Sequence, residues 1–262
     1  MSTLKMYFSF IVIYLKSKLE YKIAFLCEII ANFILVIVYY VGIWIIFNNY
    51  ESVFGWKYKE ILLLFNINWL CYSISGFFLW EPMTNLGTKI QSGEFDAYFI
   101  RPIRPLLHLV VKQFQYTFLP RFLLSLYFLI KTIRDMDQDI NIPVIIYTVI
   151  NGVIIYSCVF ILIGAVSFWL VQNKEVGDIL TNSDYGMRNF VDYPLDIYNK
   201  PIKFLLTFIV PYAFVNYIPV SYLLDKDTDL HILKIASVTV IFVLITMLVW
   251  SRGLRKYNST GT

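Results

Sequence analysis

Apolar runs long enough to cross a bilayer recur along this chain at 24–47, 60–80, 106–130, 142–171 and 231–250. They leave it very few folds. A helix needs ~20 apolar residues to span the hydrocarbon core, and backbone placed in lipid must satisfy its own polar groups. A further run, 202–224, is apolar but interrupted by Pro211 and Pro219. Hydrophobic residues make up 58% of the chain and charged ones 15%, where a soluble domain carries about a quarter charged. The chain reads as an all-α polytopic membrane protein. Residues 24–262 form its transmembrane domain, and 1–23 form an amphipathic interfacial helix. In that first segment Ser2, Lys5, Ser9, Lys16 and Glu20 share one narrow face and Leu4, Phe8, Ile11, Leu15 and Leu19 another, a pattern that lies in the membrane surface. It serves as an anchor, a docking surface or both.

Lysine and arginine placement orients the spans. With both termini in the cytoplasm, that side holds Lys5, Lys16, Lys18, Lys22, Lys89, Arg101, Arg104, Arg252, Arg255 and Lys256. The outside loops hold Lys57, Lys59, Lys131, Arg134 and Lys226. Residues 172–224 allow two arrangements. Either 172–200 is a cytoplasmic loop and 202–224 crosses once, or 174–198 is a polar crossing and 202–224 a proline-broken re-entrant element on the outer side. Tyr193 and Pro194, with Pro211 and Pro219, mark the re-entrant or gate positions of the second arrangement.

Between the second and third runs lies the longest polar, proline-marked insertion of the first half, within 81–105. Gly93 can end a local structure. Pro102 and Pro105 lack backbone donors and fix φ, so no helix should run through them. Asp96 and Arg101 put opposite charges close together. A rigid corner at the membrane surface is a place for a second protein to push.

Catalytic signatures are missing from the sequence. It has no phosphate-binding glycine loop and no metal-ligand spacing, and its histidines are His108 and His231. Nothing points to a nucleic-acid partner, a metal site or a cofactor bound by this chain. Cys27, Cys71 and Cys158 all fall inside predicted spans and read as small hydrophobes. The intramembrane polar residues remain. Glu28 and Asn32 lie one turn apart on the first span, and Glu28 is expected to pair with Lys112 at similar depth. Arg121 lies at the depth of Asn66 and Asn68, where a polar cluster would join helices or meet an anionic substrate or headgroup.

The run Gly93–Pro105, written Gly-x-x-Asp, four residues, Arg-Pro, two residues, Pro, resembles a signature of one group of permease subunits of type-two ATP-binding-cassette (ABC) exporters. The runs Tyr193-Pro194-Leu195-Asp196-Ile197-Tyr198, 205–219 and 250–261 match that group in the same order. The resemblance implies six transmembrane helices, a cytoplasmic coupling helix after the second, and an outer re-entrant element before the last. It also implies a second permease, identical or homologous, and a separate ATPase that binds ATP and Mg. Gln91, Glu94, Asp96, Arg101 and Arg104 would then contact the ATPase, with Gly93, Pro102 and Pro105 shaping the corner. The implied function is ATP-driven export of an amphipathic cargo, such as a drug, a peptide antibiotic or a lipid-linked molecule, across a bacterial plasma membrane. A sensor or immunity component signalling through its ATPase, or a motor-free channel or scramblase, are the competing readings.

Overall fold

The computed structural model describes residues 12, 20–100, 104–112, 114–136, 138–170, 174–182, 186–226 and 232–257, with the side chains of residues 112, 232 and 233 outside that set. The expected interfacial helix therefore lies almost wholly outside the described residues, as do Arg101 and Pro102. What is described is a helical membrane bundle with five helices long and apolar enough to span, or six if one bent pair counts as a span.

The first helix, α1 (Lys22–Asn49), buries only Val36, Tyr40 and Ile43. That i, i+4, i+7 stripe is a single contact seam, and it faces the bundle while the rest of the helix is open to lipid. The expected polar loop at 48–59 is a small hairpin, β1 (Ser52–Val53) paired antiparallel with β2 (Trp56–Lys57). Phe54 and Gly55 both take positive φ, 50° and 79°, as the tight turns that match strand twist require.

Helix α2 (Tyr58–Thr84) is the hub, buried along nearly its whole length and packed against later helices on every side. With α3 (Leu86–Gln91) it forms a stretch of 34 residues. At 1.5 Å per residue that is ~51 Å, well beyond a ~30 Å core, so its far end stands clear of the hydrocarbon. Gly93 follows in the left-handed region, φ 71°, and the chain turns into a 3-10 helix, Glu94–Tyr98.

The run 106–130 is not one helix. Helix α4 (Pro105–Lys112) stops, and a short 3-10 helix, Tyr116–Phe118, precedes α5 (Leu119–Asp135). Pro120 lacks the donor that would continue the ladder, and the Gln115 N–H donates instead to Phe77 O on α2 at 2.9 Å. Helix α6 (Ile142–Val166) also ends before the expected residue 171. It approaches α2 closely through small residues. A Cβ on Gly152 would meet Cys71 Sγ at 2.6 Å, and one on Gly164 would meet Met83 Sδ at 2.6 Å.

Residues 174–182 and 186–197 then traverse the bundle in pieces. Helix α7 (Lys174–Thr181) starts near Thr84 and Ile163, at the end that holds α3, and the Thr181 carbonyl accepts from Tyr72 OH halfway along α2 at 2.9 Å. The 3-10 helix Met187–Asp192 brings Asp192 to Asn68 and Trp69, and the next, Leu195–Ile197, brings Asp196 to Trp56 of the hairpin. The chain has gone from the loop end to the hairpin end.

The following pair does not go back across. Helix α8 (Lys200–Phe204) and a π-helical turn, Leu205–Ile209, are bent by 75° from the stretch Tyr212–Leu223, which contains α9 (Tyr217–Leu223). Lys203 bonds Asp196, and Lys226 donates to Gly55 O, so both limbs end at the hairpin. The tip reaches inward to Leu180, whose carbonyl accepts from Tyr212 OH at 2.9 Å. A last helix, α10 (Ile232–Lys256), packs against α6 and returns to the loop end.

The irregular backbone is satisfied by side chains. Asn216 Nδ2 donates to Leu64 O and Val191 O, at 3.0 and 2.6 Å, and Asn151 Nδ2 donates to Phe214 O at 2.9 Å. At the centre, Asp192 Oδ1 accepts from Asn68 Nδ2 at 2.6 Å, Trp69 Nε1 at 2.9 Å and Arg188 Nη2 at 3.2 Å. Both charged residues are buried, and the Arg188 guanidinium packs on the Tyr72 ring at 4.2 Å. Removing one member leaves a buried charge alone, a loss of about 3–5 kcal/mol. Asp192→Leu is therefore expected to unfold the traverse and lower the melting temperature sharply in mild detergent. Arg188→Met combined with Asp192→Leu should recover part of that loss. A single variant that melts like the wild type would remove the pair from this role.

Candidate functional site

Two polar centres lie at opposite ends of α2. At the loop end, the segment after α3 has two faces. Phe95 and Tyr98 are fully buried, while Gln91, Glu94, Phe99, Ile100 and Arg104 are exposed. The buried face is an aromatic clamp. The Phe95 ring lies 5.0 Å from Tyr257, 5.3 Å from Phe99 and 5.6 Å from Phe168. Phe168 follows α6 and Tyr257 follows α10, so the loop is anchored to α2, α6 and α10 together. Gly253 lets α10 approach this point, since a Cβ there would meet the Phe168 ring at 2.4 Å. His108 of α4 adds a further contact, 4.6 Å from the Tyr98 ring.

Asp96 accepts a hydrogen bond from Tyr257 OH at 2.6 Å. Its expected neighbour Arg101 lies outside the described residues. Burial, and then the Asp96 carboxylate that it donates to, push the Tyr257 phenol up to about 12. Gly93 supplies the left-handed turn, and Pro105 starts α4.

At the hairpin end, Asp196 gathers donors from three elements: Trp56 Nε1 at 3.1 Å, Tyr217 OH at 2.9 Å and Lys203 Nζ at 3.3 Å. It ties β2 to both limbs of the bent pair. Burial pushes its carboxyl upward, but the bonds from Trp56, Tyr217 and Lys203 outweigh that and hold it below the usual carboxylate range. Tyr193 is half-buried and Pro194 buried next to Asp196 in the chain, while Pro211 is buried at the inward tip of the bent pair and Pro219 inside α9. Asp196 stands inside the Tyr193–Tyr198 run, yet hydropathy ranks it as loop charge. Its contacts come from residues 56, 203 and 217, which no local spacing connects.

Glu28 accepts from Tyr116 OH, and the side chain of Lys112 lies outside the described residues. Asn66, Asn68 and Arg121 do not form one cluster. Residues two apart on a helix point to different sides, so Asn66 accepts from Tyr40 OH at 2.5 Å while Asn68 meets Asp192. Arg121 packs over Trp69, Tyr72 and Phe118, at 5.3, 5.8 and 5.7 Å. Asn32 Nδ2 donates to Glu28 O at 2.8 Å. Among the described residues, no group of three or more His, Cys, Asp and Glu could hold a metal ion.

A polytopic bundle with a clamped, two-faced loop is what a subunit moved from outside would need. A family profile described as ABC-2 family transporter protein matches residues 33–261. The chain belongs to the ABC-2 transporter family. It is a membrane-spanning subunit of an ABC transporter, in a family whose permeases generally work with an ATPase subunit rather than a catalytic site of their own. Neither the curated proteins nor the solved structures searched contain a match.

Two outcomes test these centres in the ABC-2 chain. Truncating Phe95, which is fully buried, removes a ring from a packed cluster, a loss of about 3–5 kcal/mol. Phe95→Ala should therefore loosen the loop, read as faster hydrogen exchange over 93–99 and over the end of α10. A protection pattern unchanged from the wild type would argue against the clamp. For Asp196, a lowered folded pKa means stability that is complete above the unfolded value of about 4. That stability is lost as the pH falls through the lower folded value. Asp196→Asn should melt earlier than the wild type at pH 7, and the two should converge under strong acid. Parallel melting curves across that range would contradict the assignment.

Proposed function

We propose that this ABC-2 chain is one permease subunit of an ATP-driven exporter in a bacterial plasma membrane, with both termini in the cytoplasm. A separate ATPase that binds ATP and Mg docks on the exposed face of the 91–105 loop. A second permease, identical or homologous, completes the pathway. The observation that carries the reading is the two-faced loop. Gln91, Glu94 and Arg104 lie outward, while the buried Phe95 is locked to Phe168 and Tyr257 at the ends of α6 and α10. Arg101 and Pro102 belong to the same docking corner by their place in the motif. ATPase closure against such a loop moves α2, α6 and α10 as a unit, because a packed aromatic cluster transmits displacement rather than absorbing it. Net lysine and arginine on this side support the cytoplasmic assignment. The cargo is amphipathic, as the resemblance of the chain's motif runs to the exporter permeases implies.

Affinity purification of the tagged chain in mild detergent, with an ATPase assay on the eluate, tests this. A stoichiometric ATPase should co-purify, and Glu94→Arg or Arg101→Glu should reduce its retention at least tenfold while the permease still inserts. Recovery of the chain alone, without nucleotide hydrolysis across several gentle extractions, would favour a motor-free channel or scramblase instead.

A further inference from the structure

Glu28 is an intramembrane charge that neither the central polar network nor the clamped loop uses. It stands six residues into α1, ~9 Å along the axis from Lys22, and its side chain is exposed. A carboxylate within a span is costly in lipid and is kept where something faces it. Among the described residues no lysine or arginine forms an ion pair with it. Its bond comes from Tyr116 OH, in the break between α4 and α5. The Tyr116 ring is buried and packs on Phe25 at 4.8 Å, so the group that holds the carboxylate is itself fixed. Beside them lies a cavity of about 190 Å³, lined by Tyr21, Ala24, Phe25, Glu28 and Tyr116. Residues 21, 25 and 28 share a helix face by their spacing. Tyr21, which is exposed, and Phe25, which is half-buried, therefore offer ring surface next to Glu28, and Ala24 leaves room between them.

A carboxylate set among aromatic rings is the chemistry that receives an organic cation. We infer that this cavity binds the alkylated ammonium group of an amphipathic cation. Glu28 supplies the counter-charge, Tyr21 and Phe25 lie against the methyl groups, and the hydrocarbon tail follows the exposed apolar surface of α1. A primary ammonium has three donors to satisfy, and the lining offers few acceptors beyond Glu28. An alkylated one has one donor or none, and rings with a single charge suffice. A cavity of ~150 Å³ takes one benzene-sized group, so this one takes a single trimethylammonium-sized group and leaves any tail outside. Two sources carry such a group, a single-chain cationic cargo and a choline-type lipid headgroup. The inference rests on the proposed amphipathic cargo and narrows it to a cationic one.

The test is equilibrium binding of radiolabelled decyltrimethylammonium to the purified full chain in a maltoside detergent. No ATPase is present, so a missing motor and an empty site are separate results. The cation should bind roughly tenfold tighter than neutral decyldimethylphosphine oxide, which has the same tail and a head of similar size. It should also bind tighter than decylamine. Glu28→Gln should erase the advantage over the oxide. Tyr21→Leu should weaken the cation about threefold and leave the oxide unchanged, and Tyr21→Phe should restore it, because a ring face rather than a hydroxyl is used. Both positions are exposed, so these variants keep the fold. Dioctanoyl phosphatidylcholine that displaces the label as well as the unlabelled cation does identifies a lipid headgroup as the source. Displacement by the single-chain cation alone identifies a cargo. Decylamine or the oxide binding as tightly as the cation overturns the assignment. So does an advantage that survives Glu28→Gln and Tyr21→Leu, including the case in which Glu28→Gln does no more than separate two permeases.

Discussion

The Asp192 carboxylate is the point on which the interior turns. A chain that leaves helical geometry inside a membrane exposes N–H and C=O groups to a medium that offers them nothing. This chain does so at several points between Gly186 and Tyr217, where local backbone bonds are joined by side chains of other elements. Asn68 and Trp69 hold Asp192 from α2, Asn151 reaches in from α6, and Asn216 bonds across to α2. The buried Arg188 neutralises the carboxylate that accepts the first two of these bonds. Remove that centre and the traverse loses its side-chain attachment to α2.

That arrangement makes α2 a lever with polar attachments at both ends. At one end its continuation becomes a loop clamped by Phe95 to the ends of α6 and α10. At the other, the hairpin that precedes it hands Trp56 to Asp196, and through Asp196 to both limbs of the bent pair. Between them the contact of α2 with α6 is close enough that Gly152 and Gly164 leave no room for a methyl group. A displacement applied to the loop therefore has a stiff route to the bent pair, some 34 residues of helix away. Membership of the ABC-2 family supplies a reason for such a route in a subunit of this kind.

Much of the candidate site was legible as sequence, and the rest was hidden for definable reasons. Gly93 and Pro105 could be read because their backbone restrictions act locally. The outward position of Gln91, Glu94 and Arg104 follows from polarity alone. The Tyr257 bond to Asp96 joins residues 161 apart, and no periodicity links them. Arg188 and Asp192 sit four apart in a polar stretch that hydropathy assigns to water, and only their burial shows them to be a core pair. Grouping Asn66 with Asn68 failed on helix geometry, since depth alone says nothing about direction around the axis.

Sequence by itself determined that the chain is a helical membrane protein, roughly where its spans fall, and that a proline-cornered loop interrupts them. Those are consequences of apolar length and of backbone chemistry that each residue carries with it. Tertiary structure alone decided that 106–130 breaks at Gln115, whose N–H bonds to Phe77, and that 174–182 and 186–197 traverse the bundle while the next segment turns back. Hydropathy measures the cost of water-to-lipid transfer residue by residue. It cannot register that a polar residue has been handed a partner by a helix a hundred positions away, and in this protein such partnerships set the course of the chain.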